Sequence, residues 1–375
     1  MRTYLFTAFE PSGDAHAAPV IAALLSLDPG ARIVAFGGDR MAAAGAELIE
    51  RTAGDGTMGV PALSKVLAIR AIARRVEAFA AKHAIAVHVP VDSPAANFPM
   101  CARTRRHGAK VVHLVAPQLW AWGPWRIGKL RRLTNHVLCL LPFEEQWFSS
   151  RGVRATFIGH PVVNGGDAHT SAPLPEDAAR RGDPSVLLLP GSRTLEVDRN
   201  AALLLEAWEA IARDHPSART IVCAASALVR DRFMSIAGAQ LDDRVRVVTG
   251  CIDAAAAWCD FAIAVSGTVS LDITRACKPM IGVYRTGKVG TLVGGLMLRA
   301  PHRLLPNILA GREIVPEFVP YSGASEPILA VARRMARDRS WRDAITQDLA
   351  KVLAQFAGHT PGVEAARIIV ATAQG

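Results

Sequence analysis

Arg193 is the side chain best suited to hold phosphate, because of where it stands. The run Val186-Leu187-Leu188-Leu189 reads as a fully buried parallel strand, Pro190-Gly191 punctuates it, and Ser192 to Val197 has the polar residues that open a helix. In such a turn a glycine lets the backbone approach a ligand, a helix N-terminus offers N–H groups, and an arginine pairs two oxygens at once. The same residues also describe an ordinary strand-to-helix turn with a surface arginine. A second segment repeats the pattern: Phe261–Val265 ends in Ser266-Gly267-Thr268, and Asp272 comes about one helical turn later. Ser266 to Thr268 offer amide and hydroxyl donors to a diphosphate, and Asp272 offers a carboxylate to ribose hydroxyls; Thr268 as a helix cap with Asp272 in its first turn is the plainer alternative. Together, in one half of the chain, the two segments favour a nucleotide site.

The elements that must position these residues are legible as alternation. Tyr4–Phe9, Ile33–Phe36, Ala84–Val91, Lys110–Val115, Val137–Leu141 and Thr156–Ile158 read as strands. Helices are expected over Ala17–Leu27, from Arg40 and over Val66–His83, with a loop at Glu10–Asp14. After a Gly/Pro/Asp/Ala-rich linker, Val163–Pro184, the alternation restarts with strands Val186–Leu189, Thr220–Cys223, Val245–Val248, Phe261–Val265 and Met280–Tyr284. This predicts an α/β chain of two Rossmann-like doubly wound domains, 1–163 and 164–326, facing each other across a cleft, and a helical tail, 327–375, in which Thr360 caps a helix begun by Pro361. Ligands in such sheets bind at the carboxyl ends of the strands.

Composition bounds the partners. The 375 residues, half of them hydrophobic and a fifth charged, suit about two globular domains. Mean hydropathy is +0.21, yet no apolar run reaches the roughly eighteen residues a membrane span needs. Met1 to Phe9 reads as a first strand, too short for a signal peptide. The cysteines at 101, 139, 223, 251, 259 and 277 lack a CxxC pair and read as reduced thiols of a cytoplasmic protein, neither bridges nor metal ligands. A net charge of +10 admits nucleic acid, an anionic membrane surface or phosphorylated substrates, and no nucleic-acid motif supports the first.

Ordered motifs then bring a resemblance. Glu10-Pro11-Ser12-Gly13-Asp14, Gly38-Asp39-Arg40-Met41, Asp92-Ser93-Pro94, Trp120-Ala121-Trp122, Leu141-Pro142-Phe143-Glu144 and Phe157-Ile158-Gly159-His160 come first. Leu189-Pro190-Gly191-Ser192-Arg193 with Glu196, Ser266-Gly267-Thr268 and Leu305-Pro306-Asn307-Ile308-Leu309-Ala310-Gly311-Arg312-Glu313 come after them. From Glu10 to about Glu317 the chain resembles the lipid-A-disaccharide synthase family, inverting glycosyltransferases of the GT-B architecture. The resemblance implies transfer from a UDP-linked 2,3-diacylglucosamine to 2,3-diacylglucosamine 1-phosphate, giving a β-1,6 disaccharide and UDP. It implies Asp92 as the general base for the acceptor 6-hydroxyl. It implies UDP contacts from Gly191, Ser192, Arg193, Glu196, Ser266, Gly267, Thr268, Asp272 and Asn307. No Asp-x-Asp motif occurs, which fits a mechanism without metal, and no cofactor is expected.

On the acceptor side Glu10, Ser12, Gly13 and Asp14 bind the sugar or cap a helix, and His160 is a substrate contact or a structural histidine. Trp120, Trp122 and Trp125, beside Arg126, Lys129, Arg131 and Arg132, read as an interfacial surface for acyl chains and phosphate, or as a packed loop before a solvated basic helix. Val289–Leu298, uncharged between Lys288 and Arg299, suits shallow membrane contact. These features predict peripheral attachment to the inner face of the cytoplasmic membrane; a homodimer is a further expectation. The chain departs from the family at Phe9 and Pro90, where glycines are usual, at Ala95 for an aspartate, at Gly123 for an arginine, and at Asp272 for a glutamate. The alternatives are a paralogous transferase with another acceptor and a non-catalytic protein that binds UDP-sugar or lipid.

Overall fold

The structure, a computed structural model, describes residues 1–53, 62–165, 171–238, 241–287 and 301–375. The chain divides into two compact units, one of Met1–Asn164 with Ala357–Gly375 and one of Gly165–Phe356.

The first unit runs β1 (Thr3–Thr7), α1 (Pro11–Leu27), β2 (Arg32–Gly37), α2 (Asp39–Ala43), β3 (Glu47–Arg51), α3 (Ala62–Lys82), β4 (Ile85–Pro90), α4 (Pro94–Arg106) and β5 (Lys110–Leu114). It continues through α5 (Ile127–Leu133), β6 (His136–Cys139), α6 (Pro142–Ser149), β7 (Ala155–Phe157) and α7 (Pro161–Asn164). All pairings are parallel, and the seven strands lie in the order β3-β2-β1-β4-β5-β6-β7. Both faces are covered, as apolar strands require. On one face Tyr4, Phe6 and Val89 pack with Ala17, Val20, Ile21 and Leu24 of α1; on the other Leu5, Val34 and Phe36 pack with Ala73 and Val76 of α3. The helix α1 starts at Pro11, not at Ala17, because proline's fixed φ and missing N–H suit the first helical turn.

The second unit runs β8 (Ser185–Leu189), α8 (Thr194–Asp214), β9 (Arg219–Ala224), α9 (Ala227–Ala237), β10 (Val245–Thr249), α10 (Ile252–Trp258) and β11 (Phe261–Val265). Then come α11 (Val269–Arg275), β12 (Met280–Arg285), α12 (Leu305–Ala310), β13 (Glu317–Tyr321), α13 (Glu326–Arg337) and α14 (Arg339–Ala354). Its six strands are again parallel, ordered β10-β9-β8-β11-β12-β13. The edge strands β3 and β13 do not announce themselves in the sequence. Three of the five residues of Glu47-Leu48-Ile49-Glu50-Arg51 are charged, and β13 contains Pro320, which suits an edge.

The tail is not one element. Its α13 packs on α8 and belongs, with α14, to the second unit. The last helix, α15 (Pro361–Gln374), returns to the first unit, where Ala365, Ala366 and Ile369 join the core against α1. Thr360 stands at its N-cap, but its side chain makes no capping bond.

Each sheet has one place where strand order reverses, between β1 and β4 in the first unit and between β8 and β11 in the second. Loops leaving adjacent strands there diverge and leave a crevice. Glu10–Asp14 and Asp92–Ser93 come after the first pair of strands; Gly191–Arg193 and Ser266–Thr268 come after the second.

Candidate functional site

In the second unit the crevice is a cavity of about 590 Å³, within the range of small-ligand sites. Gly191, Ser192, Arg193, Glu196, Ser266, Gly267, Thr268 and Asp272 all line it. Residues without a distinctive sequence motif complete the wall: Cys223 near the end of β9 and Ala225 just after it, Gly250 and Ile252 after β10, and Tyr284 on β12. Their common signal is position, since each lies at or just past the carboxyl end of a strand.

The turn after β8 is built around Glu196. Gly191 has φ +106°, a left-handed conformation that disfavours side chains, and a Cβ there would lie 2.7 Å from the Glu196 carboxylate. That carboxylate accepts N–H bonds from Ser192 (2.8 Å) and Arg193 (3.3 Å), and it pairs with the Arg193 guanidinium at 3.4 Å. Two N–H groups expected to face phosphate are therefore occupied within the chain. Arg193 itself is largely exposed, so its charge remains available to a ligand.

After β11 the Ser266 N–H is spent on Val283 O, at 2.8 Å. A Cβ on Gly267 would meet nothing within 4 Å, so the turn is open to the cavity. Thr268 makes no side-chain cap. Burial raises Asp272 to about 6, with Arg275 opposing the shift and Asp253 adding to it. Asn307 is not brought to this wall. Its amide donates to Val315 O and Glu317 Oε2, and its oxygen accepts from the Ile314 and Val315 amides. It is fully buried and ties α12 to the segment entering β13.

In the first unit Asp92 and Ser93 both take left-handed backbone conformations, φ 48° and 38°. For non-glycine residues this is strained, and it persists only where surrounding bonds enforce it. Ser93 Oγ donates to Glu10 Oε1 at 3.1 Å, so the loops after β1 and β4 touch. Burial raises the Asp92 pKa, the Ser93 amide opposes this, and the Glu10 charge adds to it.

The neighbouring residues divide. Gly13 is buried near the end of β4, where a Cβ would lie a tight 3.2 Å from Ala8 Cβ, and Ser12 is exposed. Asp14 is a cap, not an open carboxylate: it accepts from the amides of Gly38, Arg40 and Met41, each at 3.0 Å, and so holds the start of α2. His160 likewise accepts from the Val162 amide at 3.1 Å, closing the first turn of α7. Trp120 donates to Glu144 Oε1 at 2.9 Å and packs edge-on to Phe143. Glu144 is buried, which raises it to about 7. Trp122 and Trp125 are 42% and 75% exposed, and Arg126 stacks on Trp122 at 4.1 Å. Gly123 has φ +79°, and a Cβ there would meet Arg126 Nε at 2.8 Å, so the arginine usual in the family is strained at this position. The Val289–Leu298 stretch lies outside the described residues.

The fold has solved counterparts. The S. aureus MnaA–UDP co-structure superposes with TM-score 0.66 at 10% identity, covering 99% of this chain and 95% of that one. The glycotransferase of kitacinnamycin gives 0.64 at 14% identity, covering 99% and 98%. In sequence, a lipid-A-disaccharide synthase of Thiobacillus denitrificans (strain ATCC 25259 / T1) is 35% identical over 385 residues, 96% of this chain and 99% of that protein. One of Anaeromyxobacter dehalogenans (strain 2CP-1 / ATCC BAA-258) is 33% identical over 359 residues, 94% and 92%. The family model described as Lipid-A-disaccharide synthetase matches residues 4–357. With its two parallel sheets of GT-B type, this chain belongs to the lipid-A-disaccharide synthetase family, a family of glycosyltransferase enzymes.

Proposed function

We propose that the protein transfers a 2,3-diacylglucosaminyl group from UDP to the 6-hydroxyl of 2,3-diacylglucosamine 1-phosphate, with inversion, releasing UDP. The observation that carries this is the cavity where β8 and β11 part, where Arg193, Gly267, Thr268 and Asp272 converge in a chain of this family. Arg193 and the open Gly267 turn suit a diphosphate, and Asp272 suits ribose hydroxyls.

Inversion is a single displacement, so the acceptor hydroxyl must lose its proton as its oxygen bonds to the anomeric carbon. Asp92 is the carboxylate assigned to take it, and its raised pKa makes it a better base than an exposed aspartate. As the bond from sugar to diphosphate breaks, the charge left on UDP is met by Arg193. Asn307 is spent on fixing the main chain between α12 and β13 and does not touch UDP.

Among the described residues no helix is long and apolar enough to cross a membrane. The exposed Trp122 and Trp125, with Arg126, Lys129, Arg131 and Arg132, suit peripheral attachment to an anionic lipid surface. The test is direct: purified protein is incubated with both substrates and the products are read by mass spectrometry. A disaccharide 1-phosphate with stoichiometric UDP is expected; neither product from folded protein overturns the reading.

A further inference from the structure

The strained Asp92 main chain is gripped by a buried polar chain that the reaction itself does not use. The Asp92 N–H donates to Leu114 O at 2.9 Å, which fastens one side of the residue to β5. The other side is held by Asn97, on the first turns of α4, whose amide donates to Val91 O at 2.9 Å and to Asp92 O at 2.8 Å. Asn97 is fully buried, and so are Thr7, His88 and Thr104 behind it.

The direction of the bonds from Asn97 through Thr7 to His88 comes from counting protons. Both Asn97 amide protons go to carbonyls, so its oxygen is the acceptor for the Thr7 hydroxyl at 2.6 Å. That commits the one hydroxyl proton of Thr7, so in the 2.9 Å contact His88 Nε2–H must donate. Nδ1 of His88 is then an acceptor, and the Thr104 hydroxyl lies 3.0 Å from it. Burial, with His113 nearby, keeps His88 neutral by lowering it to about 3, as this arrangement requires.

We propose that Asn97 is the positioning residue for Asp92, and that Thr7 and His88 hold the Asn97 amide in the one orientation that clamps the left-handed Asp92–Ser93 turn. An oriented amide supplies two donors to two consecutive carbonyls, which no aliphatic or acidic side chain of that size does. The proposal rests on Asp92 being the general base; without the clamp the turn relaxes and the carboxylate leaves its line to the acceptor hydroxyl.

Three variants test it. Asn97→Asp keeps shape and the acceptor oxygen but removes both donors. Thr7→Val keeps volume and removes the hydroxyl, while Thr7→Ser keeps the hydroxyl. Folding is checked by circular dichroism, and the separate UDP site by calorimetry. Asn97→Asp and Thr7→Val are expected to lower kcat by about 10- to 100-fold, the cost of a small misplacement of a catalytic group, with donor KM and UDP affinity within about twofold of wild type. Thr7→Ser is expected to restore most of the kcat. Independently of turnover, the Asp92 carboxyl, tracked by NMR in protein with ¹³C-labelled aspartate, is expected to change its titration in Asn97→Asp and Thr7→Val and not in Thr7→Ser.

Wild-type kcat and Asp92 titration in folded Asn97→Asp or Thr7→Val overturn the proposal. So does a Thr7→Ser variant as impaired as Thr7→Val, since packing rather than the hydroxyl is then at work. If Asn97→Asp does not fold, the Thr7 pair decides alone. If the wild type itself makes no disaccharide, the transfer reading has failed, and the NMR titration still decides the clamp.

Discussion

Gly38 has no side chain because Asp14 occupies the space: a Cβ on Gly38 would lie 2.5 Å from Asp14 Oδ2. Two short motifs 24 residues apart are thus halves of one device, a carboxylate and the three amides it caps. Asp14→Ala is expected to destabilise the protein by about 2–3 kcal/mol, the loss of a helix cap with charge-assisted bonds, and to leave UDP affinity unchanged. Urea unfolding with parallel calorimetry checks it. Full stability with weakened acceptor binding would instead return Asp14 to the sugar.

Arg193 faces the cavity from a turn that Glu196 holds closed. Arg193→Ala is expected to weaken UDP binding by about 1.5–3 kcal/mol, the worth of a hydrogen bond to a charged group, with no change of fold. Isothermal calorimetry reads this, and an unaltered Kd removes Arg193 from the diphosphate site.

Asp92→Asn keeps size and removes basicity. Turnover is expected to fall by about two to four orders of magnitude while UDP binding stays nearly intact. The wild-type pH profile carries the sign. Burial raises the Asp92 pKa, so the base is lost to protonation as pH falls, and the acid limb of kcat lies higher than an exposed aspartate would put it. A folded asparagine variant with near-normal turnover moves the base role to Glu10.

Glu144 binds the Trp120 indole and caps α6, and it does so from a buried position that raises its pKa from 4.5 to about 7. Between those values the folded state holds a proton that the unfolded state has released. The contribution of this group is therefore fully present below the unfolded pKa and is lost as pH rises towards about 7. The melting temperature of wild type minus that of Glu144→Gln is expected to fall across this window and to level off above it. A flat difference across the window sinks the assignment.

Anionic vesicles are expected to bind the protein at low salt and release it as salt rises, through Lys129, Arg131 and Arg132, each worth about 1 kcal/mol near such a surface. Arg131→Glu with Arg132→Glu is expected to reduce flotation at least about tenfold, and Trp125→Ser to reduce the part that survives at high salt. Complete solubility of the wild type with these vesicles at low salt removes the interfacial role.

Sequence alone determined the alternation of strands and helices, the place of the cavity wall in the second unit and the candidacy of Asp92. Apolar strand runs and the punctuation after them are local, and a parallel doubly wound sheet puts the loop after each strand at its ligand end. Gly191, Arg193, Gly267 and Asp272 were legible for that reason. The tertiary structure decided which polar groups were already spent. Asp14 read equally well as a sugar ligand or a cap, His160 as a substrate contact or a structural histidine, and Asn307 as a UDP contact, because a side chain looks the same in sequence whichever partner it meets. Only the fold brings Gly38–Met41 to Asp14 and Ile314–Glu317 to Asn307, saturating both. The same holds for the edge strands β3 and β13, which a neighbouring strand recruits despite their charges and proline, and for α15, whose apolar face suits any core until the fold lays it against α1. Asn97 shows the limit most plainly: an asparagine early in a helix reads as a solvated residue, and becomes a clamp only when Thr7 and the Asp92 carbonyl close around it.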